Sequence, residues 1–215
     1  CFKKRNLNLR ILGPLGQGGM SMVFRVRVES ADSAKWVQTC VLKIDKTGGN
    51  HDGFQPYGPL QSDVALAPDV YVFGQAYTLM ELVEGPPLNR WIQQRQYHMS
   101  LDDAIRKSIG AAMGIRSIGD AEIGQLDIKP SNLIGIPGTP LVRPLDFDLA
   151  CRWSAMPELN HIFRTEVGYP FGTPSYTSPD HVYFDCNPST DAYCLGLVID
   201  EICHQSLLNL SLIHI

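Results

Sequence analysis

The sequence predicts an α+β fold of two lobes, a strand-rich part followed by a helical part. Residues from about 9 to 45 read as strands, with a largely apolar run, a glycine break and then a stretch, Val23–Val28, that mostly alternates at period two. From Leu88 onward apolar residues recur every three or four residues, and a Gly-Pro-Pro break at residues 85–87 marks the change. Strands gathered first and helices later is the order of an α+β domain, not of alternating βαβ units.

The elements follow in order. Leu9–Leu15 is largely apolar and ends at Gly16–Gly19; Val23-Phe24-Arg25-Val26-Arg27-Val28 then alternates as a half-buried strand does. Trp36–Ile44 is a third strand candidate. Residues 46–60 hold four glycines and two prolines and read as a loop. Tyr71–Val83 contains two further apolar runs expected to be strands. Leu88–Gln96 and Leu101–Ile118 carry helical spacing, with Ser100 and Asp103 placed as a helix cap. Residues 155–190 are rich in Pro, Gly, Ser and Thr, and a last helix is expected over Thr190–Cys203. The division falls between residues 1–82 and 83–215.

Composition excludes several classes. The 215 residues are 44% hydrophobic, enough for a sizeable core, and the net charge of -4 argues against a nucleic-acid binder. No apolar run is long enough to span a bilayer, and no secretory signal opens the chain. The first residue is Cys1, so a fragment is expected. Six cysteines form no C-x-x-C pair, and they read as buried free thiols in a reducing compartment. The six histidines are scattered without metal-ligand spacing.

Chemistry concentrates in two short strings. Asp127-Ile128-Lys129-Pro130-Ser131-Asn132 places an acid, a cation and an amide in one loop, and Asp146-Phe147-Asp148 adds a further acid after a mostly apolar run. Phosphoryl transfer from ATP needs such a set: an acid to orient a hydroxyl, a cation for the moving phosphate and two ligands for Mg²⁺. Upstream, Gly16-Gln17-Gly18-Gly19-Met20-Ser21-Met22-Val23 is a glycine turn between strands, where backbone N–H groups can approach phosphates closely. Lys43 follows Val23 by twenty residues at a strand end.

These strings, together with Tyr77–Gly85, Gly172–Asp180 and Asp191–Gly196, resemble the motifs of eukaryotic protein kinases, and Lys129 within its string points to the Ser/Thr type. The resemblance implies a bilobal protein-kinase-like fold, with a β-rich N-lobe and a helical C-lobe that stops early. It implies ATP and Mg²⁺. Gly16, Gly18, Val23 and Lys43 would hold the nucleotide, Met80 would line the adenine pocket, and backbone groups of Glu81 and Val83 would bond adenine. Asp127 would orient the substrate hydroxyl, Lys129 would steady the γ-phosphate, and Asn132 with Asp146 would bind the metal. Thr173 resembles the Thr that contacts the catalytic Asp and Lys, and Asp191 would tie its helix to the catalytic loop. The expected substrate is a protein bearing Ser or Thr, in the cytoplasm or the nucleus, with room for a regulatory partner protein.

The sequence departs from the family at four places. Gln125-Leu126 stands where His-Arg is usual, which removes the cation that pairs with a phosphorylated activation loop, so activity independent of such a phosphate is expected. Asp148 stands for a glycine. No Glu lies between Lys43 and Glu81, and Asp63 is the expected stand-in partner for Lys43. The apolar ending after Gln205 does not resemble the later helices of the family. Three functions remain open at this point: a protein kinase, a pseudokinase that binds nucleotide or partners without turnover, and a small-molecule phosphotransferase. Residues 172–180 weigh against the last.

Overall fold

A computed structural model of the chain describes residues 7–18, 21–30, 37–46, 63–74, 76–93 and 100–213. Two compact units emerge: residues 1–62 with 68–83, and residues 63–67 with 84–215. Gly19, Met20, nearly all of the loop expected over 46–60, and the end of the helix expected to reach Gln96 lie outside the described residues.

The first unit carries a five-stranded antiparallel sheet. Its strands are β1 (Leu7–Gln17), β2 (Ser21–Ser30), β3 (Val37–Asp45), β4 (Val70–Phe73) and β5 (Tyr77–Glu81), ordered β1-β2-β3-β5-β4. The alternation in β2 explains its packing. Val26 and Val28 are buried with Cys40 of β3 and Leu79 of β5, and Phe24, Leu42, Tyr71 and Val72 pack against them. Arg25 and Arg27, on the opposite face, are exposed. Each fully buried Val or Leu side chain contributes roughly 1.5–3 kcal/mol relative to its exposed state.

The register sets a row across this sheet. Gly16 pairs with Val23, Val23 with Lys43, and Lys43 with Thr78. Directly paired residues point to one face, so Val23 and Lys43 stand opposite the Val26–Cys40 core. Before β2 the chain turns with Gly18 N–H donating to the Ser21 carbonyl at 2.9 Å, and the Lys46 ammonium donates to the Gly18 carbonyl at 2.6 Å.

The second unit is mainly helical: α1 (Leu88–Gln93), α2 (Leu101–Gly119), α3 (Met156–Ile162), α4 (Pro179–Tyr183) and α5 (Pro188–Ile213). Ser100 caps α2, its hydroxyl accepting the Asp103 N–H at 3.1 Å, and Asp102 and Asp103 lie in the first turn where the helix dipole favours them. Ala104, Ala111, Ile115 and Ile118 form the buried stripe of α2, which packs against α5 and a small hairpin. Lys107 is buried on the same side and donates to the Ile136 and Thr139 carbonyls, each at 2.7 Å. Four short strands complete the unit in two ladders: β6 (Ile123–Gly124) with β9 (Cys151–Arg152), and β7 (Leu133–Gly135) with β8 (Val142–Pro144).

Three findings differ from the sequence expectations. The Pro/Gly-rich stretch over 155–190 contains α3 and α4, because Met156, Leu159 and Phe163 share one buried side and Ser178 caps α4. The last helix runs from Pro188 to Ile213 rather than ending at Cys203; past Gly196 no glycine or proline interrupts it. Finally, residues 63–67 belong with the second unit. Arg143 donates to the Leu66 and Ala67 carbonyls at 3.0 and 2.8 Å, and Asp63 is ion-paired with Arg152. Asp63, expected to stand in as the partner of Lys43, is thus engaged by a cation of its own unit.

Gly110 allows α2 to meet the β7–β8 hairpin. A Cβ there would stand 1.9 Å from the Pro140 carbonyl oxygen and 3.1 Å from Val142 Cγ2. Gly110→Ala is expected to destabilise the protein by about 3 kcal/mol through overpacking. Gly119→Ala in the same helix meets nothing within 4 Å and is expected to be neutral or stabilising by up to about 1 kcal/mol. Urea denaturation of the two variants checks the contrast, and equal losses would refute it.

Candidate active site

A cluster of short polar side chains lies within the second unit, on the loop between β6 and β7. Its geometry begins with the β7–β8 hairpin. Leu133 pairs with Pro144, so the residues just outside the hairpin, Asn132 and Leu145, are also neighbours, and the Leu145 N–H donates to the Asn132 carbonyl at 2.7 Å. Asp146 therefore leaves the hairpin beside Asn132. It does so at φ +60, a left-handed conformation that Asp tolerates better than most residues.

Asp127 is the hub. One carboxylate oxygen accepts the Thr173 hydroxyl at 2.7 Å. The other accepts the Lys129 ammonium at 2.6 Å and the Asn132 amide nitrogen at 3.2 Å. Lys129 also donates to the Thr173 oxygen at 2.7 Å, which closes a ring of three side chains. The Asn132 nitrogen donates in addition to the Asp127 carbonyl at 3.0 Å. An amide must turn its nitrogen toward a carboxylate, so its oxygen faces away from Asp127. An amide oxygen and a carboxylate such as that of Asp146 are hard donors of the kind Mg²⁺ takes.

The loop is held from beneath by Asp191, in the first turn of α5. Its buried carboxylate accepts the Gln125 N–H at 2.8 Å and the Leu126 N–H at 2.9 Å. Burial outweighs the pull of the two N–H donors in the other direction and raises this carboxyl to about 6. Leu126 sits at φ +64, a conformation that costs a residue with a Cβ on the order of 1–3 kcal/mol. The turn aims Asp127 at Lys129 and Thr173.

Two residues of this site were not singled out for a role from the sequence. Gln125, fully buried, donates through Nε2 to the Leu145 carbonyl and, at 3.2 Å, to the Asp146 carbonyl, bracing the second acidic loop. His181 of α4 is 1% exposed, and its Nε2 lies 3.1 Å from the Leu126 carbonyl oxygen. Burial pushes the imidazole pKa down, and the Leu126 carbonyl, Asp127 and Asp180 pull it up less strongly. The Ser178-x-x-His181 spacing, that of a capping box, was the available signal for His181.

The other expected residues lie in the first unit. Gly16, Val23 and Lys43 stand on the cross-strand row, Gly18 in the turn that follows β1, and Glu81 at the end of β5 with Val83 two residues on. The Glu81 N–H donates to the Asp69 carbonyl at 2.8 Å, and its carboxylate accepts the Asp69 N–H at 3.1 Å. Among the described residues there is no cluster of three or more His, Cys, Asp or Glu able to hold a metal ion.

Asp191→Asn turns an amide nitrogen toward one of two buried N–H groups, and a loss of roughly 2–3 kcal/mol is expected in urea denaturation. His181 supplies a pH signature. Its folded pKa is below the ordinary 6.5, so its contribution is complete above pH 6.5 and is lost as the pH falls through the lowered value. The stability gap between the unaltered chain and His181→Phe should therefore narrow from pH 7.5 to 5.5; a constant gap would count against a neutral buried ring.

No family model matches the chain. It is 32% identical over 124 residues to the serine/threonine-protein kinase PknA of Mycobacterium tuberculosis, covering 57% of this chain and 27% of that protein. It is 31% identical over 121 residues to myosin light chain kinase 2 of Oryctolagus cuniculus, covering 55% and 19%. Pkn3 of Myxococcus xanthus is 25% identical over 207 residues, covering 90% of this chain and 37% of that protein. The chain thus spans about a quarter of the length of the first of these relatives.

Proposed function

We propose that this chain, a relative of the Ser/Thr protein kinases with a kinase-like α+β fold, transfers the γ-phosphate of ATP to a Ser or Thr hydroxyl of a protein. The observation that carries the proposal is the ring of Asp127, Lys129 and Thr173 with Asn132 braced against it. In such a ring the Asp127 carboxylate accepts the hydrogen bond of an incoming hydroxyl and orients its oxygen for attack. Thr173, on the segment expected to support the substrate, fixes the rotamer of Asp127. The Lys129 ammonium, already held by two oxygens, offers positive charge to the phosphate in transit without reorganising.

Asn132 and Asp146 would hold Mg²⁺, which supplies charge neutralisation for the phosphates when bound. In the first unit, Gly16, Gly18, Val23, Lys43, Glu81 and Val83 are the residues proposed to receive the nucleotide. The pairing of Val23 with Lys43 supports this, since it sets an apolar and a cationic side chain side by side. Most of the acceleration in such a site comes from positioning and fixed charge.

A reducing compartment, cytoplasmic or nuclear, is proposed on the state of the thiols. The described cysteines are free; Cys151, Cys186 and Cys194 are buried, and burial pushes each up to about 12. No helix among the described residues is long and apolar enough to cross a membrane. A second reading, nucleotide binding without turnover, is favoured by Asp148, which adds a carboxylate two residues from Asp146 where the family has glycine.

A γ-phosphate transfer assay on a basic protein substrate separates the two readings. The unaltered chain is expected to transfer phosphate, and Asp127→Asn to lower kcat by about 10²–10⁴-fold with Mg·ATP binding kept. Equal, background-level transfer by both proteins, with nucleotide still bound, would leave only the second reading.

A further inference from the structure

We propose that His181 is a positioning residue for phosphoryl transfer: its Nε2–H ties α4 to the carbonyl of Leu126 and so holds Asp127 against Thr173. The proposal rests on the phosphotransfer reading for its catalytic part, whereas the tie itself is a matter of geometry.

The tautomer follows from the partners. The Ser178 backbone N–H, which can only donate, points at His181 Nδ1 at 3.1 Å. Nδ1 is therefore an acceptor, and the ring proton resides on Nε2, 3.1 Å from the Leu126 oxygen, which can only accept. The Ser178 hydroxyl, 2.9 Å from Nδ1, accepts the His181 backbone N–H at 3.3 Å. Both ring nitrogens are thus engaged in a buried, neutral side chain. The charged groups facing it, Asp127 and Asp180, do not outweigh its desolvation.

The packing around the bond is equally specific. The His181 ring meets Phe171 edge-on at 5.0 Å, and Phe171 lies 4.2 Å from Phe163. Gly172 follows at φ +90, and a Cβ there would stand 3.2 Å from the Leu126 oxygen and 3.8 Å from His181 Nε2. The missing side chain leaves open the space in which the bond forms. Leu126, strained at φ +64, is then gripped on both sides, its N–H by Asp191 and its carbonyl by His181. The next residue in the chain is Asp127, and one residue past Gly172 is Thr173. One imidazole therefore fixes the two backbone segments that bring the Asp127–Thr173 bond together. It does so as a neutral group on a loop where Leu126 offers no cation to a phosphorylated segment.

Two variants test this. His181→Phe keeps the ring volume and removes both hydrogen bonds; His181→Gln keeps an amide donor for Leu126. In His181→Phe, amide hydrogen exchange at Gln125 and Leu126 is expected to rise about 10-fold, and kcat to fall about 10-fold with KM for ATP unchanged within about 2-fold. In His181→Gln both quantities should return to within about 3-fold of the unaltered chain. Ring ¹⁵N spectra at pH 7 should show the Nε2–H tautomer. A ring protonated at Nδ1, or a His181→Phe chain with unchanged exchange and kcat, would overturn the proposal. Absence of transfer by the unaltered chain would overturn the phosphotransfer reading and the catalytic part of this one, while the exchange measurement still decides the tie.

Discussion

Everything in the second unit that resembles chemistry hangs from one buried carboxylate. Taking Asp191 out of water costs several kcal/mol, and three things offset that cost. Two are the backbone N–H groups of Gln125 and Leu126, one on each oxygen. The third is its place in the first turn of the 26-residue α5, where the helix dipole favours a negative charge. The arrangement is reciprocal. Without the carboxylate, two N–H groups would be buried unpaired and Leu126 would have little reason to stay left-handed. Without the loop, Asp191 would be a buried charge with no donors. Loop shape and helix position are one constraint, and the polar ring around Asp127 is its visible consequence.

The elements that a local pattern specifies were legible in the sequence. Alternation in Val23–Val28 marked β2 and its buried face. Three- and four-residue spacing with the Ser100 cap marked α2. The spacing within Asp127–Asn132 placed its acid, cation and amide close together, since a six-residue segment cannot carry them far apart. Contacts between distant positions were not legible. Gln125 looked like the loss of a histidine, because its bonds go to residues 20 and 21 positions away. His181 read as one of six scattered histidines, since its partner lies 55 residues earlier. Asp63 was assigned by distance along the chain to Lys43, and the segment 63–67 instead follows Arg143 and Arg152. In residues 155–190 turn-forming composition masked α3 and α4, which depend on burial of a few apolar residues more than on propensity.

At Gln125 and His181 this chain places neutral hydrogen-bonding side chains inside a packed interior. Gln125 braces the second acidic loop through an amide, and His181 grips Leu126 as a neutral imidazole. Neutral hydrogen bonds lose less to desolvation than ion pairs and are insensitive to salt. A loop built on them is braced by neutral contacts within the fold.

The cross-strand row in the first unit has a consequence for how this sequence can change. Val23 and Lys43 share a face because β2 and β3 run in unbroken register from Ser21↔Asp45 to Glu29↔Val37. Side chains alternate strictly along a strand, so one residue inserted between Cys40 and Lys43 would turn everything on one side of it over. With the Lys43 end kept in register, Cys40 would leave the apolar core and its neighbour would enter; with the Cys40 end kept, the ammonium would be driven into that core. Length variation in descendants of this chain is therefore confined to the connections between strands, while β2 and β3 evolve by substitution alone.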